Sequence, residues 1–190
     1  LACKYREALK WTTCYGNQRE AVMHKLLSSP WTQPGFADSG AHLRSIAQYN
    51  FPLRFLKYVR DADLAGESFM ELGKAVRRCS GELADFIGVD AGYLRVGDRA
   101  DLVVINPQGL DDRLDELHEA PMEVLGLVRV VKRNDAAVAL TVINGRIAYR
   151  RGLEYPDDLG KAQRYGHFLP ARDVSPRQLP ACDLAPAAAS

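Results

Sequence analysis

The stretch that decides the fold of the second half of the chain is Val138-Ala-Leu-Thr-Val-Ile-Asn-Gly-Arg-Ile-Ala-Tyr149. Two apolar runs flank its central Asn-Gly pair, and such a pair between strand-like runs is the strongest short-range signal of a β-hairpin. Leu102–Ile105 is another short apolar run, and residues 126–131 are a further candidate strand. We therefore expect residues 91–152 to be mostly β.

In the first half of the chain, the apolar residues are instead spaced as in α-helices. Residues 17–29 and 51–60 are predicted as short helices, and residues 69–87 give the clearest pattern. Within that stretch, Ser80-Gly81 predicts a break into two helices with Ser80 as the cap of the second, and Gly88 predicts the end. Its apolar residues recur every three or four positions and are predicted to face the core: Phe69, Leu72, Val76, Cys79, Leu83 and Phe86.

Composition excludes several classes of protein. The 190 residues carry 25 Lys+Arg against 24 Asp+Glu, and the resulting net charge of +1 gives no electrostatic footprint for nucleic acid or for an anionic membrane surface. No apolar run reaches the roughly 18–20 residues of a membrane span, and no secretory leader is apparent.

The four cysteines form no CxxC pair, which disfavours a structural zinc site and a disulfide framework. We expect a cytoplasmic protein.

The segment Gly35-Phe-Ala-Asp-Ser-Gly-Ala-His-Leu43 carries the main candidate for chemistry. Its Phe36-Ala37 pair could end a buried strand, and Asp38-Ser39-Gly40 is typical of a turn that follows it. In α/β folds, catalytic and binding residues often lie at the point where a strand becomes a loop, which is the position predicted for this aspartate. The same pattern also fits an aspartate that only accepts hydrogen bonds from its own turn.

Three segments together resemble the amidohydrolase superfamily, and most closely its N-acyl-D-amino-acid deacylase branch. The first is the segment 35–43, the second is Gly92-Tyr-Leu-Arg-Val-Gly-Asp-Arg-Ala-Asp-Leu-Val-Val-Ile105, and the third is Ile143-Asn-Gly-Arg146. They occur in the family's order, over roughly residues 17–152. The second segment is similar to the stretch that leaves the catalytic domain, and the third to the closing hairpin of a small β domain.

This resemblance implies an α/β fold that is only the C-terminal portion of a metal-dependent (β/α)8 TIM barrel, with part of its small β-sandwich domain. A barrel alone needs about 250 residues, more than the chain has. We accordingly expect residues 1–90 to hold the last strand and helices of the barrel and 91–152 a partial β-sandwich. Residues 153–190 would be a partly disordered C-terminal extension, and the missing N-terminal part of the same protein would be a partner.

The resemblance also assigns a role to Asp38 of the first segment. Asp38 would lie beside a zinc ion, acting both as a metal ligand and as the general base and acid for a metal-bound water that attacks an amide carbon. His42, four residues after Asp38, could bind the substrate or orient Asp38. Arg44, just after the segment, could pair with a substrate carboxylate, whose shape suits a guanidinium fork. The remaining metal ligands would lie upstream, because the four histidines of this chain are isolated from one another.

The expected activity is the hydrolysis of a carbon–nitrogen bond, other than a peptide bond, in an N-acyl amino acid or related amide. The chain by itself would be inactive, and it could form homo-oligomers. Two alternatives stay open: a cyclic-amide hydrolase of the dihydroorotase or hydantoinase kind, and a non-catalytic binding or scaffold module that lacks metal ligands.

Overall fold

The computed structural model describes residues 19–35, 49–122, 125–153, 155–161 and 165–172. The chain divides into two units, Leu1–Gln33 and Pro34–Ser190. In the first unit, helix α1 spans Glu20–Ser28 and buries none of its residues. The first two residues of the predicted helix 17–29 lie outside the described residues. No helix in the described ranges is long and apolar enough to span a bilayer.

Within the residues that the structure describes, the second unit contains three α-helices followed by short strands. The helices are α2 (Phe51–Leu64), α3 (Leu72–Cys79) and α4 (Gly81–Ile87). The strands are β1 (Leu102–Ile105), β2 (His118–Met122), β3 (Leu127–Val131), β4 (Val138–Ile143) and β5 (Arg146–Arg150). Two 3-10 turns, Pro107–Gly109 and Asp112–Asp115, lie between β1 and β2.

Helix α2 is longer than the spacing predicted, but its buried face is the expected one. Pro52 lies in the first turn, where the missing N–H costs nothing because that group has no partner within a helix. Phe55, Leu56, Val59 and Ala62 are buried, three or four residues apart, so they form one continuous stripe.

Helices α3 and α4 separate at Ser80, as predicted, and α4 ends at Gly88, whose φ of 81° lies in the left-handed region. The predicted cap is wrong, because the Ser80 hydroxyl donates a hydrogen bond backwards to the Val76 carbonyl at 2.9 Å. The predicted burial is also wrong in part: Leu72, Val76 and Phe86 are 42%, 47% and 66% exposed.

All strand pairs in the described part of the chain are antiparallel. One sheet has the order β1-β4-β5, and the other consists of β2 and β3. The hairpin between β4 and β5 is confirmed, with Asn144 at φ 50° and Gly145 at φ 78°. Positive φ at both central residues is the type I′ geometry, whose twist matches that of the flanking strands.

The predicted fold class, part of a (β/α)8 barrel with part of a β-sandwich, is wrong. A barrel is built from parallel strands that alternate with helices. Here the described helices precede the described strands, and the β2–β3 and β4–β5 connections are too short for the crossover that parallel strands require. The described part of the chain is a mixture of helices with two small antiparallel sheets.

Gly109 holds the loop after β1 against the turn before β4. A Cβ atom at this position would lie 2.1 Å from the Ala136 carbonyl oxygen, which is a severe clash with backbone. The neighbouring Asn106 strengthens the same contact, since its N–H donates to the Ala137 carbonyl at 2.7 Å. The chain therefore needs a residue without a side chain at Gly109.

We predict that Gly109→Ala lowers the free energy of unfolding by roughly 2–3 kcal/mol, the range for overpacking a tight contact. Gly73→Ala is the matched control: nothing lies within 4 Å of the added methyl group in α3, and a helical alanine is favoured over glycine. The control should be neutral or stabilising by up to about 1 kcal/mol. Urea unfolding of both variants measures this, and equal effects would contradict the role of Gly109.

Candidate functional site

The residues with predicted catalytic and binding roles lie outside the described part of the chain. Asp38, His42 and Arg44 all fall within residues 36–48, which are not among the described residues. Their roles stay predictions.

The described residues do not form a zinc site. Among them, no three histidine, cysteine, aspartate or glutamate side chains cluster closely enough to hold a metal ion. Two of the histidines have single polar neighbours: His118 lies 3.8 Å from Glu116, and His167 lies 3.1 Å from the Asn144 amide nitrogen. Zinc usually takes four ligands in a structural site and three in a catalytic one, so zinc binding would need residues beyond those described.

A groove of about 370 Å³ lies beside the β4–β5 hairpin. The side chains on its walls are mixed in polarity and include Asn134, Asp135, Thr141, Tyr149, Tyr155 and Leu159. The rings of Tyr149 and Tyr155 are 5.4 Å apart and tilted by 43°, a favourable geometry for two aromatic side chains.

Tyr149 is a wall residue of this groove whose hydroxyl has a hydrogen-bond partner. Its hydroxyl donates a hydrogen bond to Asp135 at 3.2 Å. Burial, together with the nearby negative charge of Asp135, raises the pKa of Tyr149 above its usual value. A tyrosine that acts as a nucleophile or base at neutral pH would need a lowered pKa instead. The groove therefore offers hydrogen bonds and aromatic contact, but Tyr149 is not an activated catalytic group.

Charged side chains join α2 to the two 3-10 turns. The Lys57 ammonium lies 2.7 Å from Asp61 and 3.1 Å from Asp112. Arg60 donates hydrogen bonds to the carbonyls of Pro107 and Leu110 at 2.7 Å and 2.6 Å. Apart from the Lys57–Asp61 pair, these contacts connect residues about fifty positions apart, and no local pattern in the sequence predicted them.

The ion pairs also determine the protonation of Asp61. Burial by itself would raise the pKa of this carboxyl group, but hydrogen bonds from Lys57 and Arg60 outweigh burial and hold the pKa below its usual value. Reciprocally, the hydrogen bond to Asp61 raises the pKa of Lys57. Asp61 and Lys57 are thus both charged at neutral pH, and the network joins α2 to the turns.

Two of the three segments that resemble the amidohydrolases are in direct contact. The Gly145 N–H donates to the Ala100 carbonyl at 2.9 Å, and the Asn144 N–H donates to the Asp101 carboxylate at 2.5 Å. Leu102 in β1 pairs with Val142 in β4. The segment 92–105 and the hairpin 143–146 therefore form one β unit, although about forty residues separate them in sequence.

Comparison with known proteins finds relatives but no assigned family. Uncharacterized proteins of Mycobacterium bovis and of two Mycobacterium tuberculosis strains are each 44% identical to the chain over 170 residues. The match covers 87% of this chain but only 28% of the relatives' length. No family model matches the chain, and no solved structure matches it significantly.

We predict that Asp61→Asn destabilises the protein at pH 7 by roughly 0.5–1 kcal/mol, as is typical for solvent-screened ion pairs. Because the folded pKa of Asp61 is lowered, its contribution is present above the unfolded pKa of about 4 and is lost as the pH falls through the folded pKa. Urea unfolding at pH 7 and at pH 3 should show a smaller difference from the parent chain at pH 3.

The matched control is Asp63→Asn, an exposed carboxylate in the same helix. Its effect should be close to zero at both pH values. An Asp61→Asn variant that behaves like this control at pH 7 would show that the network does not stabilise the fold.

Proposed function

We propose that the chain is part of a longer metal-dependent amidohydrolase that cleaves the amide bond of an N-acyl amino acid or related compound, with Asp38 as its catalytic acid and base. One observation carries the proposal beyond the sequence pattern. The second and third resembling segments, which the family is expected to combine in one small β unit, contact each other through Ala100–Gly145 and Asp101–Asn144 hydrogen bonds.

The length of the relatives supports the same proposal. The match occupies 28% of their length, so most of each relative lies outside it. A catalytic domain with metal ligands would fit in that remainder. The proposal places the ligands other than Asp38 outside this chain, in line with the lack of a three-ligand cluster among the described residues, and it assigns no step to the metal.

The proposed chemistry of Asp38 follows from what amide hydrolysis requires. A water oxygen attacks the amide carbon while the Asp38 carboxylate accepts a proton from that water. The carbon–nitrogen bond then breaks as the protonated Asp38 gives the proton to the leaving nitrogen, because an amine departs more easily than an amide anion. The products are a carboxylic acid and a free amine. His42 would orient the substrate, and Arg44 would bind its carboxylate.

We predict that Asp38→Asn, in the full-length product of the gene that encodes this chain, lowers kcat by about 10²–10⁴-fold, the usual contribution of a general acid–base group. An asparagine keeps the shape of the side chain but cannot take up the proton. The assay measures amine release from a panel of N-acyl-D- and N-acyl-L-amino acids. It also measures ring opening of hydantoin and dihydroorotate, which tests for a cyclic-amide hydrolase.

The matched control is Asp157→Asn, an exposed aspartate, and it should keep full turnover. Circular dichroism and urea unfolding check that both variants are folded. A folded Asp38→Asn variant with unchanged turnover would remove the proposed mechanism. A parent protein that hydrolyses no compound of the panel would contradict the proposed substrate class.

A further inference from the structure

Helices α3 and α4 leave an apolar surface exposed. We use "the α3–α4 stripe" for Leu72, Val76, Leu83 and Phe86. Leu72 and Val76 are four residues apart in α3, and Leu83 and Phe86 are three apart in α4, so each pair shares one face of its helix. Leu83 is half-buried, and the other three are among the exposed large apolar side chains of the structure.

The residues that these two helices bury are small or charged. Ala75 and Ala84 are buried, and so is Arg78, of whose surface only 2% is exposed. The Arg78 guanidinium lies 3.6 Å from the Glu82 carboxylate, so its charge is balanced. A helix that packed only within this chain would bury its leucine, valine and phenylalanine side chains first. The pattern indicates that the α3–α4 stripe has a partner outside the described residues.

Strand β1, in another part of the second unit, also exposes apolar side chains. It lies at the edge of its three-stranded sheet. Val103 and Val104 are neighbours, so their side chains point to opposite faces of the sheet, yet they are 52% and 45% exposed. Neither face of the sheet is therefore fully covered at β1. Soluble monomers avoid an open apolar edge of this kind because it invites association.

We propose that the α3–α4 stripe is the contact surface for the rest of a longer polypeptide, namely the part that corresponds to the relatives' length outside the match. That match covers 28% of each relative, so a segment of sufficient size exists in those proteins. A partner in the same polypeptide is present at high effective concentration, so it covers an apolar face without needing charged residues for recognition. The stripe contains none of the predicted catalytic or substrate-binding residues, and the inference does not depend on the proposed hydrolysis.

The test measures whether the stripe is accessible in the longer protein. Val76→Cys and Lys74→Cys are introduced separately into the full-length gene product and alkylated with iodoacetamide at pH 8. Lys74 is the matched control, because it is exposed and lies two residues from Val76, nearly opposite on the same helix. Peptide mapping by mass spectrometry separates the new cysteine from the native ones. Native Cys79 reacts slowly, since burial raises its pKa to about 11.

We expect Val76→Cys to react at least about tenfold more slowly than Lys74→Cys in the folded longer protein, and both to react equally in 8 M urea. The ratio should not change with protein concentration, because the partner belongs to the same polypeptide. Equal rates in the folded protein would overturn the proposal. Protection of Val76→Cys that disappears on dilution would also overturn it, because it would identify a second copy of the chain as the partner. A reading frame that extends no further than this chain would overturn it as well. None of these readouts requires enzymatic activity.

Discussion

The hydrogen bonds between the segment 100–101 and the turn 144–145 are the contacts on which the β part of the chain depends. They begin the antiparallel ladder in which Leu102 pairs with Val142, and the ladder brings together strands that are distant in sequence. The type I′ turn makes this possible, because its positive φ values turn the Asn144 and Gly145 N–H groups towards the residues before β1. Two of the three segments that resemble the amidohydrolases thereby become one structural unit.

Helix α2 attaches by polar contacts as well as by its buried apolar stripe. Asn50, which is buried just before α2, donates to the Leu114 carbonyl at 2.8 Å, and Arg60 donates to two carbonyls of the loop after β1. The buried Asn50 contact favours one arrangement, because another would leave its amide without a partner. Of the apolar residues of α3 and α4, Leu72, Val76 and Phe86 are exposed.

The sequence predicted those features that neighbouring residues determine. The Asn144-Gly145 hairpin, the break at Ser80 and the stop at Gly88 are local, and the structure confirms them. The buried stripe of α2 also follows from spacing alone. These predictions were correct because the φ preference of glycine, or the period of a helix, does not depend on the rest of the chain.

Features that depend on distant partners could not be predicted. The predicted fold class was wrong because it rested on the resemblance of three short segments, and short segments do not determine how the strands of a whole chain pair. The predicted burial of Leu72, Val76 and Phe86 was wrong because helical spacing does not show what a helix face packs against. The partners of Lys57 lie up to 55 residues away, at Asp112, and nothing nearby in sequence marks them. The predicted site residues at 38, 42 and 44 lie outside the described ranges and remain predictions.

The most direct test of the account is an experimental structure of the full-length gene product with zinc added. The account predicts that the Asp38 carboxylate faces a cavity that holds the metal, that the other metal ligands come from residues outside this chain, and that the same outside region covers the α3–α4 stripe. A structure in which Asp38 points into solvent, away from any cavity or metal, would contradict the central claim.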